Sequence, residues 1–311
     1  MEKRRFSLLL FALMACVVVS AQRISFKDYT AYMIAKVTVN GNVKANAMID
    51  TGASVTIIDS TFLAESGLQL NLHELKNAPK LRFPALRKKL RCRYELIDTL
   101  DINGLRSTNR VVVADLKPFF QNSSIPSVNI LMGSNFIAKD GSRMLTLDIR
   151  KGYVEYGRRT IDEKKYAKGV LTVDERGFVG TNAPLKVLSS DMIAVQFSGT
   201  FLFDTGNPNY FSLSYKNEKV RNVLKTSGIE PYEHTIKGKE WKFVRAVSAE
   251  MFGVEVPQRV YSAHGKSKKN FLIPVTPRLL SRHDYAGTIG CNFLREVELI
   301  LDYDNNYLYI R

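Results

Sequence analysis

The chain has 311 residues, 45 Lys+Arg against 30 Asp+Glu, 45% hydrophobic residues and three cysteines. That balance excludes a disordered chain, a collagen-like repeat and a disulfide-rich miniprotein. The formal charge of +15 suits anionic contacts, but no DNA- or RNA-binding module pattern accompanies it.

The first element is a targeting segment. Lys3, Arg4 and Arg5 precede an apolar run from Leu8 to Val19, and Ser20 and Ala21 then supply small residues before Gln22. Residues 1–21 therefore read as a signal peptide cut after Ala21. Leu13-Met14-Ala15-Cys16 offers a rival lipid-attachment box, but Val17, Val18 and Val19 continue the hydrophobic stretch, so cleavage after Ala21 is favoured over an anchor at Cys16. No later stretch approaches the ~20 apolar residues of a transmembrane segment, and an exported protein, periplasmic or secreted, is expected. The remaining 290 residues carry 42 basic and 29 acidic side chains and suffice for one core or two. Cys92 and Cys291 could join in an oxidising compartment, although two separate thiols are the simpler expectation.

From there a set of short segments occurs twice in the same order. Met33-Ile34-Ala35 is answered by Met192-Ile193-Ala194, and Ala47-Met48-Ile49-Asp50-Thr51-Gly52 by Phe201-Leu202-Phe203-Asp204-Thr205-Gly206. An amphipathic stretch before Ser66-Gly67, and another before Ser227-Gly228, predict one short helix in each half. Arg110-Val111 has a counterpart in Arg259-Val260, Gly133-Ser134-Asn135-Phe136 in Gly290-Cys291-Asn292-Phe293, and Leu145-Thr146-Leu147-Asp148 in Leu299-Ile300-Leu301-Asp302. The segments between Gly, Asn and Asp turns alternate or run apolar for four to eight residues, as in Ala35-Lys36-Val37-Thr38-Val39, and read as strands. Asn305-Asn306 marks a hairpin turn near the C-terminus. The expectation is two duplicated, mainly β lobes, residues 22–165 and 166–311, with the boundary between Thr160 and Lys186.

Asp-Thr-Gly ends an apolar strand in both halves, 154 positions apart. If the two loops meet about a pseudo-twofold axis, Gly52 and Gly206 let the backbones approach, and Thr51 and Thr205 can hydrogen-bond across to the opposite loop. Asp50 and Asp204 would then be neighbours that cannot both ionise, one accepting a proton from water while the other donates to a substrate carbonyl.

These residues resemble a two-lobed aspartic peptidase of the pepsin and retropepsin type, over about residues 30–311. The resemblance implies an all-β, bilobal acid-protease fold of two β-barrel lobes, each with one or two short helices. In that family two hydrophobic residues precede a later glycine in each lobe, as in Leu131-Met132-Gly133 and, less closely, Thr288-Ile289-Gly290. It further implies an exported endopeptidase acting on a peptide or protein substrate, with Asp50 and Asp204 catalytic and Thr51, Gly52, Ala53, Thr205, Gly206 and Asn207 shaping the site. No cofactor and no metal are needed, and both aspartates in one chain favour a monomer. Asn207-Pro208 stands where the family more often has a small hydroxyl residue or alanine, and Ala53 lacks the hydroxyl that pepsin-like members place beside their acid, which predicts a weaker acid preference. The main competitor is a catalytically inactive relative that binds peptides or anionic polymers in its cleft.

A flap hairpin is expected between Lys76 and Val113, with Phe83 and Tyr94 as candidates for its tip and Trp241 in the comparable region of the second lobe. Only about a dozen residues separate Gln22 from the first repeated strand, so no long inhibitory propeptide is expected. Lys76 to Arg93 holds eight basic residues and no acidic one. It reads first as a solvated loop and second as a rim for acidic peptides, anionic glycans or an anionic membrane surface. His73, His234, His264 and His283 lack metal spacing, Gly265-Lys266-Ser267 lacks the upstream glycine of a phosphate loop, and Tyr307 stands where a calcium loop with Asp302, Asp304 and Asn306 needs glycine.

Overall fold

The computed structural model describes residues 22–29, 32–76, 80–83, 88–107, 110–120, 125–134, 136, 144–175, 177–236, 239–256, 271–276 and 285–311. The expected signal peptide with Cys16, Asn135, Arg259-Val260, His264, Gly265-Lys266-Ser267 and His283 lie outside the described residues. Among the described residues no helix is long and apolar enough to cross a membrane.

Alternation in Met33–Val39 buries Ala35, Val37 and Val39 and leaves Lys36 in water, the pattern of a strand with one face on a core. A tight turn returns the chain along Val43–Asp50, made possible by Asn40 at φ 45° and Gly41 at φ 78°. Val43–Asp50 then lies parallel to Ile130–Gly133, so that Asp50 is opposite Gly133. Ile130–Gly133 runs antiparallel to Thr56–Asp59, which is itself parallel to Val111–Ala114. The second half has the same connectivity. Thr200–Asp204 is parallel to Tyr285–Gly290 with Asp204 opposite Gly290, Tyr285–Gly290 is antiparallel to Phe211–Ser214, and Phe211–Ser214 is parallel to Phe271–Thr276. Because these central strands are covered on both faces, they are continuous apolar runs such as Phe201-Leu202-Phe203.

The expected short helices follow equivalent strands. Ser60–Glu65 is capped by Asp59, whose Oδ1 accepts from the backbone N–H of Thr61 and Phe62. Asn217 caps Glu218–Thr226, which buries Val220 and Leu224 one turn apart. A third, Cys291–Leu294, packs Phe293 against Phe211 with ring centroids 5.0 Å apart. Cys92 and Cys291 are separate buried thiols.

One of the sequence correspondences does not coincide with an equivalent position. Met33 and Ala35 pair with Ile49 and Ala47 at the end of the first aspartate strand. The same place beside Thr200–Asp204 is taken by Val179–Thr181. Met192 instead sits in a hairpin turn at φ 61° and is 69% exposed, because the second half divides the long first-half strand into Val179–Thr181 and Leu185–Ser189. The described strand in the place of Val111–Ala114 is Phe271–Thr276.

The halves are joined by six antiparallel strands in the order Gln22–Asp28, Tyr153–Tyr156, Met144–Asp148, Glu298–Asp302, Tyr307–Ile310, Ala167–Val173. The central pair, with Thr146 opposite Ile300, crosses from one half to the other. The outermost strands continue upward into the lobes, Phe26–Asp28 onto Met33–Ala35 and Leu171–Val173 onto Val179–Thr181. The expected turn at Asn305-Asn306 closes the C-terminal hairpin, with Asn305 N–H donating to Asp302 Oδ1 at 3.1 Å. Beside it the buried Glu298 carboxylate accepts from Arg159 at 2.9 Å, from the Tyr166 hydroxyl at 3.0 Å and from Arg311. Removing that carboxylate leaves two guanidinium groups facing one another. Glu298→Ala is expected to cost about 2–4 kcal/mol in urea unfolding, whereas an effect within the surface range of about 0.5 kcal/mol would show that this cluster does not hold the sheet.

Candidate active site

Each Asp-Thr-Gly begins where its aspartate strand leaves the sheet, and the two loops meet through four reciprocal hydrogen bonds. Thr51 Oγ1 donates to the Phe203 carbonyl at 2.8 Å, and Thr205 Oγ1 donates to the Ile49 carbonyl at 3.0 Å. The Thr51 N–H in turn donates to Thr205 Oγ1 at 3.0 Å, and the Thr205 N–H to Thr51 Oγ1 at 3.1 Å. Both threonines are buried, where such bonds are exchanged with little competition from water.

The glycines allow the carboxyls to sit over the opposite loop. A Cβ at position 52 would lie 2.2 Å from Asp204 Oδ1, and one at position 206 would lie 3.0 Å from Asp50 Oδ1. The Gly52 N–H donates to Asp50 Oδ1 at 2.9 Å and the Gly206 N–H to Asp204 Oδ1 at 3.2 Å. Asp50 is 8% exposed and Asp204 half-buried. Burial pushes the Asp50 carboxyl up to about 6, against the N–H donors of Gly52, Ala53 and Gly206. Burial and the neighbouring charge of Asp50 push Asp204 up to about 7, against the N–H donors of Gly206 and Asn207. The pair therefore takes up its protons in coupled steps and holds one of them across a range in which ordinary carboxyls are ionised.

All eight sequence-derived site residues come together here. Ala53 contributes backbone, its carbonyl accepting from the Ser134 N–H at 2.7 Å and hydroxyl at 3.0 Å. The Asn207 carbonyl does the same for the Cys291 N–H at 2.7 Å. Its side chain is turned to Ser212 and Thr288. Sequence reasoning overlooked those two, although Thr288 had already broken the pattern of two hydrophobic residues before glycine. Arg295, the arginine of the family's C-terminal pattern, holds Asp28 through two bonds of 2.6 and 2.8 Å and so ties the N-terminal strand to the helix behind the Asp204 loop, a role that sequence reasoning did not assign.

Where a flap was expected, Lys80–Phe83 and Lys88–Arg91 form a two-stranded hairpin. Residues 84–87 between them, and the Phe83 side chain, lie outside what is described. Tyr94 is not at that tip. It is 38% exposed on the next strand, paired with Glu74. Trp241 is half-buried opposite His234 in the second-half hairpin.

Residues 35–136 match the aspartyl protease family model. No curated protein matches the chain. Among solved structures, the crystal structure of an aspartic proteinase from Irpex lacteus aligns over 94% of this chain and 97% of its own with a TM-score of 0.55 and 14% identity. The family match thus falls within the first half, and the likeness of fold runs through nearly the whole chain. Its fold is the bilobal, mainly β pepsin-like one, and the stretch matched by the family model contains the whole first Asp-Thr-Gly loop.

The reciprocal threonine bonds make a specific demand on stability. Thr51→Val and Thr205→Val each leave a buried carbonyl without its hydroxyl donor and the opposite N–H without its acceptor, and each should cost about 2–4 kcal/mol in chemical denaturation. The double variant should cost less than the two singles together, because both act on one junction. Strict additivity would show that the two loops are held independently.

Proposed function

We propose that the protein is an exported aspartic endopeptidase in which Asp50 and Asp204 activate one water molecule for attack on a peptide carbonyl. The observation carrying this reading is the pair of carboxyls brought over each other's glycines by the threonine junction. With one proton on the pair, the ionised carboxylate accepts a proton from water as its oxygen bonds to the carbonyl carbon. The protonated carboxyl donates to the carbonyl oxygen, giving a neutral tetrahedral diol. A proton from the pair then passes to the amide nitrogen while the ionised carboxylate takes one diol hydroxyl proton, so the C–N bond breaks to give a carboxylic acid and an amine, and no covalent enzyme intermediate forms.

In this reading residues 1–21 are removed on export, residues 22–165 and 166–311 form two lobes derived from one duplicated unit, and the monomer is complete. The hairpin Lys80–Phe83 and Lys88–Arg91 closes over the substrate, and the excess of basic residues in Lys76 to Arg93 favours acidic peptides or an anionic surface.

Cleavage of unstructured peptides should be greatest at mildly acidic to neutral pH, where the raised pair carries one proton, and should fall on both sides. Asp50→Asn and Asp204→Asn should each lower kcat/KM by at least about 10³-fold. Binding that survives both substitutions, without cleavage by the wild type between pH 3 and 8, would identify a peptide-binding relative instead.

The same carboxyls affect stability in a defined direction. Unfolded aspartates ionise near pH ~4, so between there and the raised folded values the native state holds more protons. The resulting stabilisation is complete below about pH 4 and is lost as pH rises through the folded values of about 6 and 7. Asp204→Asn should therefore melt above the wild type at pH 8, with the gap narrowing at pH 4. A gap that widens on acidification would reverse the sign of the argument.

A third test uses the unequal fit of the glycines. At position 52 an added methyl displaces the Asp204 carboxyl, whereas at 206 it meets Asp50 at the edge of contact. Gly52→Ala should reduce kcat/KM by about 10²-fold or more and Gly206→Ala by less. Equal losses would mean that the carboxyls move freely.

A further inference from the structure

We infer that Asn207 is a positioning residue for Asp204, a side-chain amide that with Ser212 and Thr288 replaces on one side of the site the apolar packing that supports Asp50 on the other. This inference rests on the peptidase reading for its kinetic consequence, though not for its geometry.

The correspondence follows from strand register. Gly133 is opposite Asp50 and Gly290 opposite Asp204. Counting back along those strands puts Thr288 where Leu131 stands, and the antiparallel neighbour puts Ser212, paired with Thr288, where Ile57 pairs with Leu131. Asn207 is third after Asp204 as Ala53 is third after Asp50. Ala53, Ile57 and Leu131 belong to one buried apolar cluster. Ser212 and Thr288 are equally buried, at 2% and 1% exposure, and a hydroxyl left there without a partner would cost about 1–3 kcal/mol.

The amide supplies both partners. Asn207 Nδ2 donates to Ser212 Oγ at 2.9 Å and to Thr288 Oγ1 at 2.8 Å. Its Oδ1 accepts from the Asn209 N–H at 3.1 Å and from Asn209 Nδ2 at 2.7 Å, bridging Pro208, which has no N–H to offer. An asparagine side chain has two donors and two acceptor sites, and all four are used. The backbone of the same residue is thereby fixed, with its carbonyl on the Cys291 N–H and its N–H turned to Asp204, the Asp204 carbonyl lying 3.1 Å away. The two departures from the family's pattern, Asn207 and Thr288, thus satisfy one another. The titratable groups facing Asp204 are Asp50 across the pair and the Cys291 thiol behind it, with the Asp28–Arg295 pair beyond Cys291.

The test compares the wild type with Asn207→Ala and the gentler Thr288→Val, which removes one acceptor and keeps the amide. Thermal melting establishes folding, 13C NMR of aspartate Cγ follows the pair's titration without substrate, and peptide cleavage gives kcat and KM separately. Asn207→Ala should lower kcat about 10–100-fold with KM within about threefold. It should also move the pair's titration to higher pH, because a carboxylate that loses an N–H donor holds its proton more tightly. Thr288→Val should shift both in the same direction by less, and it decides the matter if Asn207→Ala does not fold. Lower melting temperatures with kcat and titration unchanged would reduce the network to a structural filler and overturn the inference. A shifted titration in a protein that cleaves no peptide would leave the positioning role standing and remove the peptidase reading alone.

Discussion

Two hydroxyls and two backbone N–H groups, exchanged between Thr51 and Thr205, fix the distance between loops that are 154 residues apart in sequence. The proposed chemistry depends on that junction. A carboxyl on a separate lobe would be solvated and independent. Locked over the opposite glycine, it becomes half of a pair whose electrostatics neither lobe could produce alone.

The rest of the fold keeps the junction dry and aligned. The six-stranded antiparallel sheet carries the chain from one lobe to the other, and its outer strands turn up into the two cores, so the lobes share backbone hydrogen bonds rather than a loose interface. Above it, each aspartate strand lies between an antiparallel neighbour and a parallel one that carries the glycine opposite the acid. Glycine is required there because any side chain at 133 or 290 would strike backbone carbonyls of the adjoining loop, Val55 in one case and Asn209 in the other.

Much of this was legible in the sequence because it is carried by short, strongly constrained segments. The Asp-Thr-Gly turns, the two short helices closed by Ser-Gly and the Asn305-Asn306 hairpin follow from local chemistry, whereas the caps Asp59 and Asn217 emerge only in the structure. The register of the weaker repeats was not legible. Met192-Ile193-Ala194 has the composition of Met33-Ile34-Ala35, but a strand interrupted in the second half moves it into a turn. The Asn207, Ser212 and Thr288 network also escaped notice, since its members are 5 and 76 positions apart and only strand pairing shows that they share one buried point.

Asp50 and Asp204 thus act as one coupled acid. That coupling is tested most directly by following the Asp204 Cγ resonance with pH in the wild type and in Asp50→Asn. In a coupled pair the Asp204 titration is raised in the wild type and falls when the Asp50 charge is removed, because that charge is one of its two causes. An Asp204 that titrates identically in both proteins, at the value of an ordinary carboxyl, would contradict it.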